Sequence, residues 1–207
     1  MSRYFQDRAT GQHKKLRTKG VLFDSALAVF YQKGIPNTRL EDITQHAGMA
    51  NATFYNHFKD KEELIFELAI SVVAELMEPF DEAVAGLNDA PTRIVVLMHV
   101  IMNAICERKS WGVFLGQSFH LVPLRPEFGA SARFKVEVNL GFEQGSFPSM
   151  PDQFQLDQVS SVLLSGMRRL GEDDVNITDR TSVNILRLLG MSSTKANLAV
   201  SKAQAFL

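Results

Sequence analysis

The chain is predicted to be all-α, with an N-terminal three-helix helix-turn-helix domain followed by a C-terminal helical domain. Three observations predict this class. Apolar residues recur at i, i+4, i+7 and i+8 near the N-terminus and again along several later stretches, the spacing of one helix face. Glycines and capping pairs stand where short helices must stop and restart. No stretch alternates apolar and polar residues between hairpin turns, so strands have no signal.

In order along the chain, Leu22, Ala26, Val29 and Phe30 make the buried stripe of a first helix, and Gly34 supplies its left-handed stop, with Pro36 just beyond. Thr38 and Glu41 have the spacing of a capping box, so a second helix is expected to start there and to bury Leu40, Ile43 and Ala47. Gly48 allows the tight turn of a helix-turn-helix. Phe54 and Phe58 anchor a very short third helix. Position 50 is Ala, which passes the cap of that helix to Asn51. Asp60 and Glu63 cap a long fourth helix, expected from about residue 61 towards 80.

With Phe54 and Phe58 turned inward, Asn51, Ala52, Thr53, Tyr55, Asn56 and His57 must turn outward, and none is acidic. Short polar donors and acceptors with an aromatic hydroxyl suit base edges and phosphate oxygens of a DNA major groove. Charge divides the same way. Residues 1–60 hold 9 Lys and Arg against 5 Asp and Glu, a net of +4, and residues 61–207 hold 13 against 18, a net of −5. The run His13 to Lys19 is the densest basic part, and the local field of such a face governs phosphate attraction, whatever the total charge.

This segment resembles the DNA-binding domain of TetR-family transcriptional repressors. The residues that carry the resemblance are LFDSALAVF, the Gly34 stop, Thr38 with Glu41 and Ile43, the turn and recognition helix AGMANATFYNHF, and Lys61-Glu62-Glu63-Leu64. Positions 51 and 56, often basic in the family, are both Asn, which removes an Arg or Lys readout of guanine. The expected DNA-binding set is Lys14, Arg17, Thr38, Arg39, Asn51, Ala52, Thr53, Tyr55, Asn56, His57 and Lys61. Within it, Asn51, Thr53 and Asn56 are expected to read bases, and Thr38, Tyr55, His57 and Lys61 to hold the backbone.

At 207 residues and 45% hydrophobic content the chain can bury a substantial core. It has no run of 18 apolar residues, and its first ten residues are polar and are expected to be partly disordered, so no membrane association and a cytoplasmic location are expected. A single cysteine, Cys106, excludes an internal disulfide framework and a cysteine metal cluster. His46, His57, His99 and His120 lack metal-ligand spacing, and neither a metal nor a cofactor is expected.

Past a loop at residues 85–89, Asp89 is the expected cap of a helix beginning near Pro91, whose wide apolar face is Ile94, Leu97, Met98, Ile101, Met102 and Ile105. A shorter segment at 111–119, a helix from about 126 towards 142, and a loop at 143–151 follow. Two helices are expected at 154–170 and 179–191. The resemblance implies that these two pair with their copies across a two-fold axis. The expected dimer residues are Leu156, Val159, Leu163, Gly166, Met167, Val183, Leu186 and Gly190, with the glycines permitting close approach across the axis. The resemblance also places an effector pocket among the middle helices. Its candidate residues are His99, Met102, Asn103, Cys106, Trp111, Phe114, Gln117 and His120, a few polar groups set among the Met, Phe and Trp side chains of the 94–105 helix face and the 111–120 segment, which suits a mostly apolar small molecule held by one or two hydrogen bonds.

The domain organisation expected is 1–60 for the arm and DNA-binding domain, 61–191 for effector binding and dimerisation, and 192–207 as a tail. The implied function is a homodimeric repressor that binds a palindromic double-stranded DNA operator and is released by a small-molecule effector. Alternatives are a helix-turn-helix protein that activates transcription or answers to a protein partner, and an enzyme. The latter has little support: Gly116-Gln117-Ser118-Phe119-His120 lacks the second glycine and strand context of a nucleophile elbow, and no phosphate loop or His-Glu-x-x-His occurs.

Overall fold

The computed structural model describes residues 3–118, 129–170 and 176–207, with the backbone alone for 129–132. The fold is all-α, with twelve helices and a closing 3₁₀ turn among the described residues. The helices are α1 (Tyr4–Arg8), α2 (Lys14–Lys33), α3 (Leu40–His46), α4 (Asn51–Tyr55), α5 (Lys61–Met77), α6 (Phe80–Ala83), α7 (Ala90–Glu107), α8 (Lys109–Ser118), α9 (Gly129–Glu143), α10 (Gln153–Arg169), α11 (Ile177–Leu188) and α12 (Ser193–Ala203). Two compact units divide the chain. The first runs from the N-terminus through Val72 in α5 and also takes in α8. The second holds the end of α5, α6, α7 and α9 to α12. The division thus falls inside α5, not at residue 60.

The first unit is built on α2, whose Leu22, Ala26, Val29 and Phe30 are all buried. Gly34 ends it at φ +77°, its N–H donating to the Phe30 carbonyl at 2.9 Å. The N-terminal ten residues differ from expectation, because α1 forms and docks on α2. Asp24 makes the docking: its carboxylate accepts the N–H of Phe5 at 3.1 Å and of Gln6 at 2.9 Å, satisfying donors that no helical carbonyl can reach. Gly20 makes room, since a Cβ there would lie 2.6 Å from the Phe5 carbonyl oxygen. Burial pushes the Asp24 carboxyl up to about 6, with Asp7 adding in the same direction, although both N–H bonds favour the ionised form.

Trp111 belongs to this unit. Its indole stacks on Phe5 with ring centroids 5.8 Å apart and meets Tyr4 edge-on at 5.0 Å, and it is 2% exposed. Phe114, on the same helix α8, stacks on Phe30 at 5.8 Å and 8°. The Gln117 Oε1 accepts the N–H of Ile35 at 2.8 Å. All three side chains were expected around an effector pocket, and all three pack inside the first unit. Helical periodicity shows which face of a helix is buried but cannot say against which neighbour.

In the second unit α7 is the central helix, with α6, α9, α11 and α12 packed around it. Asp89 caps it by accepting the Thr92 N–H at 3.2 Å. The buried Glu137 of α9 is held by a two-point ion pair from Arg93 of α7, at 2.6 and 2.9 Å, which raises the Arg93 pKa through that hydrogen-bonded partner. Residues 192–207 are a working part of this core. Ser192 caps α12, which buries Ala196, Ala199 and Ala203 against α7 and α11.

Candidate nucleic-acid interface

The helix-turn-helix consists of α3, the turn at Gly48 (φ +65°) and α4. Phe54 and Phe58 are fully buried and tilted against each other at 5.4 Å, with Phe58 stacked on Phe23 of α2 at 5.7 Å. These aromatic anchors fix the roll of α4. They leave Asn51, Ala52, Tyr55 and Asn56 exposed, with Thr53 and His57 half-buried. Lys14 and Arg17 are exposed on the first turns of α2, so the basic run is part of that helix.

The entry to α3 departs from expectation. Thr38 is 2% exposed and its hydroxyl donates back to the Gly34 carbonyl at 2.8 Å, closing the α2–α3 turn. The cap falls one residue later: the Arg39 N–H donates to Asp42 at 2.9 Å, and the same carboxylate takes Lys33 at 2.6 Å. Hydrogen bonding from Lys33, then from the Arg39 backbone, holds the Asp42 carboxyl below its usual range. Thr38 is therefore a structural turn residue with no surface for phosphate, and Arg39 carries the exposed side chain. Asn51 likewise does not cap α4. Ala50 occupies that position without a side-chain bond, and Asn51 Oδ1 instead accepts from the buried Thr44 hydroxyl at 2.5 Å.

Lys61 turns inward at the start of α5. Its ammonium donates to the carbonyls of Ile35 at 3.1 Å and Thr38 at 2.9 Å, tying the α2–α3 turn to α5. Two of its three N–H groups are spent inside the protein. Asp60 accepts the Glu63 N–H at 2.8 Å, as its spacing predicts. Lys19 pairs with Glu67 and lies over the rings of Phe23 and Phe58 at 5.3 and 5.9 Å. Partial burial, then the positive charges of Lys15 and Lys19, push the His57 imidazole below its ordinary pKa. A half-buried imidazole beside two ammonium groups is a setting whose positive charge a phosphate would offset.

The other expected sites lie in the second unit. Met102 is buried in the core, His99 pairs with Asp179 of α11 at 2.8 Å, and Asn103 and Cys106 are exposed. His120 lies outside the described residues. A recess of about 250 Å³ between α10 and α11 is walled by Val162, Ser165, Gly166, Arg169, Arg180 and Thr181, none of them an expected effector residue. The expected dimer residues divide. Val159, Met167 and Leu186 are buried within the protomer, while Leu156, Leu163 and Val183 are half-buried; Phe154, outside the expected set, is 70% exposed on the same helix as Leu156. Gly166 serves the protomer itself: a Cβ there would lie 2.3 Å from the Thr181 hydroxyl oxygen on α11. Gly190, at φ +92°, sits 2.6 Å by the same measure from the Pro148 ring. Both close approaches are thus within one protomer.

An aromatic-anchored helix-turn-helix with an uncharged polar outer face and a basic flank is the arrangement of a DNA-binding domain. Residues 22–68 match the model of bacterial regulatory proteins of the tetR family. Over this segment the chain is similar to the TetR family of transcriptional regulators. It is similar to the transcriptional regulator AcrR of Shigella flexneri, 32% identical over 97 residues, which are 44% of each chain. It is also similar to the transcriptional repressor KstR2 of Mycobacterium tuberculosis H37Rv, 27% identical over 149 residues, 68% of this chain and 74% of that one. The match thus spans less than half of AcrR's length and about three quarters of KstR2's. Among solved structures, RolR in complex with resorcinol superposes with a TM-score of 0.71 at 21% identity, covering 91% of this chain and 95% of that one. FadR of Bacillus subtilis in complex with stearoyl-CoA gives 0.60 at 16%, covering 83% and 98%. These last two likenesses are of fold.

Proposed function

We propose that this chain is a homodimeric, ligand-responsive transcriptional repressor of the cytoplasm. The observation that carries the reading is the roll of α4. Phe54 and Phe58 bury one side completely, so Asn51, Ala52, Tyr55 and Asn56 can only face outward. Asn51, Thr53 and Asn56 are the base readers, and Tyr55, His57, Arg39, Lys14 and Arg17 hold the backbone. A five-residue helix engages too few phosphates to bind alone, so two copies grip successive major grooves about 34 to 36 Å apart or somewhat more, over an approximately palindromic operator. The exposed Phe154 with half-buried Leu156, Leu163 and Val183 on α10 and α11 is the surface that pairs with a second copy.

The effector is a small, mostly apolar molecule held in the second unit. Support for a ligand-responsive protein comes from structural neighbours that hold resorcinol in one case and stearoyl-CoA in another, and the resorcinol complex is the one that favours a small molecule. Its binding shifts the dimer from the DNA-competent state by linkage. Selection of a random DNA pool, with sedimentation and a promoter reporter, tests the reading. It requires a palindromic logo, a dimer at micromolar concentration, and a reporter signal that rises when the gene is deleted. A monomer, or a reporter that falls on deletion, overturns it.

A further inference from the structure

Asn51 is exposed, yet one end of its carboxamide is already engaged. Thr44, on α3 and 2% exposed, places its hydroxyl oxygen 2.5 Å from Asn51 Oδ1, seven residues on and across the Gly48 turn. That separation suits an O–H···O bond, whereas an N–H···O bond takes about 2.7 to 3.2 Å. The hydroxyl therefore donates and the amide oxygen accepts. The Glu41 carbonyl, at 3.2 Å, is the weaker of two acceptors for the single Thr44 proton. With its oxygen drawn towards α3, the carboxamide turns its NH₂ group, two donors, to the surface.

We propose that Thr44 is a positioning residue for sequence readout, presetting Asn51 to offer donors to the major groove. The proposal rests on the reading of α4 as the recognition helix. Guanine, adenine and thymine each present an acceptor in that groove, at N7, O6 or O4, while cytosine presents only its N4 donor. The base pair met by Asn51 is therefore read chiefly as the rejection of cytosine. An untethered asparagine would lack this bias, because rotation about its last torsion offers either the oxygen or the nitrogen at similar cost.

The test is selection of random DNA by the full-length protein and its Asn51→Ala, Thr44→Val, Thr44→Ala and Thr44→Ser variants. Asn51→Ala should flatten the logo at one base pair per half-site. Thr44→Val, which keeps the shape and removes the proton, should relax cytosine rejection about tenfold at that same pair, leaving the other positions and the affinity for random DNA unchanged. Thr44→Ser should restore it. Thr44→Ala reads the same position without the packing demands of valine, so a poorly folded valine variant does not decide the matter. The proposal is overturned if the Thr44 variants keep the wild-type logo, change a pair that Asn51→Ala does not, or lose all positions together. A wild-type protein that selects no sequence would instead overturn the DNA-binding reading, and this inference with it.

Discussion

Lys61 offers the sharpest test, because the structure gives this residue a different task from the one its sequence position suggests. Its ammonium bridges the carbonyls of Ile35 and Thr38, at 3.1 and 2.9 Å, in a partly buried setting. Replacing it by Met keeps the aliphatic stem and removes all three donors. Two carbonyls of the α2–α3 turn then lose their partner. A buried acceptor left unsatisfied costs about 1 to 3 kcal/mol; with partial access to water, about 2 kcal/mol for the pair is a fair expectation. A fully solvated surface lysine would change stability by no more than about 0.5 kcal/mol. The assay is urea unfolding followed by Trp111, the chain's single tryptophan, which is buried in the same unit. With a denaturant slope of about 2 kcal/mol per molar, the midpoint should fall by about 1 M. Lys61→Ala should fall at least as far. A Lys61→Met midpoint within about 0.2 M of wild type would refute the carbonyl-bridging role and return Lys61 to the surface.

Three further outcomes are expected. Asp24 has its folded pKa raised from 3.8 to about 6, so the stability tied to its protonated form is present below about pH 4 and is lost as pH rises through about 6. The stability difference between wild type and Asp24→Asn, read by Trp111 fluorescence, should therefore change across pH 4 to 7 and level off above it; a flat difference contradicts the assignment. His57 has its pKa lowered in the free protein, and a facing phosphate would raise it, so complex formation should take up a proton and operator affinity should increase as pH falls below 7. His57→Gln should lose that dependence and retain the rest. Gly166→Ala should destabilise the second unit by about 1 to 3 kcal/mol through overpacking on Thr181, and the double variant with Thr181→Ala should recover much of the loss. A Gly166→Ala protein of normal stability that fails only to dimerise would return that glycine to the subunit interface.

Most of the DNA-binding unit was legible in sequence, because its signals are local. The Gly34 stop, the Gly48 turn, the Asp60 cap and the inward pair Phe54 and Phe58 each depend on residues within a few positions, where helix geometry alone fixes who faces whom. The same locality misassigned two caps. Thr38 and Asn51 have the side chains of capping residues at plausible positions, but each found a stronger partner: the Gly34 carbonyl for Thr38, and Thr44, seven residues back, for Asn51. Competing hydrogen-bond partners one or two turns away are invisible to a spacing rule. The Asp42 cap on Arg39 could have been found, since an acidic residue also stands three positions after Arg39.

What the sequence determined by itself is therefore the class of fold, the helix-turn-helix and the outward face of its recognition helix. These follow from periodicity and short-range steric rules. Only the tertiary structure decided the rest. It drew α8 with Trp111, Phe114 and Gln117 into the DNA-binding unit, and turned Lys61 onto two carbonyls. It docked α1 through Asp24, and kept Gly166 and Gly190 for packing inside one protomer. Each of those outcomes joins residues far apart in the chain, from Tyr4 to Trp111 at the widest. An apolar stripe or a long polar side chain states that it needs a partner, but the identity of that partner is set by which surfaces the whole chain brings together.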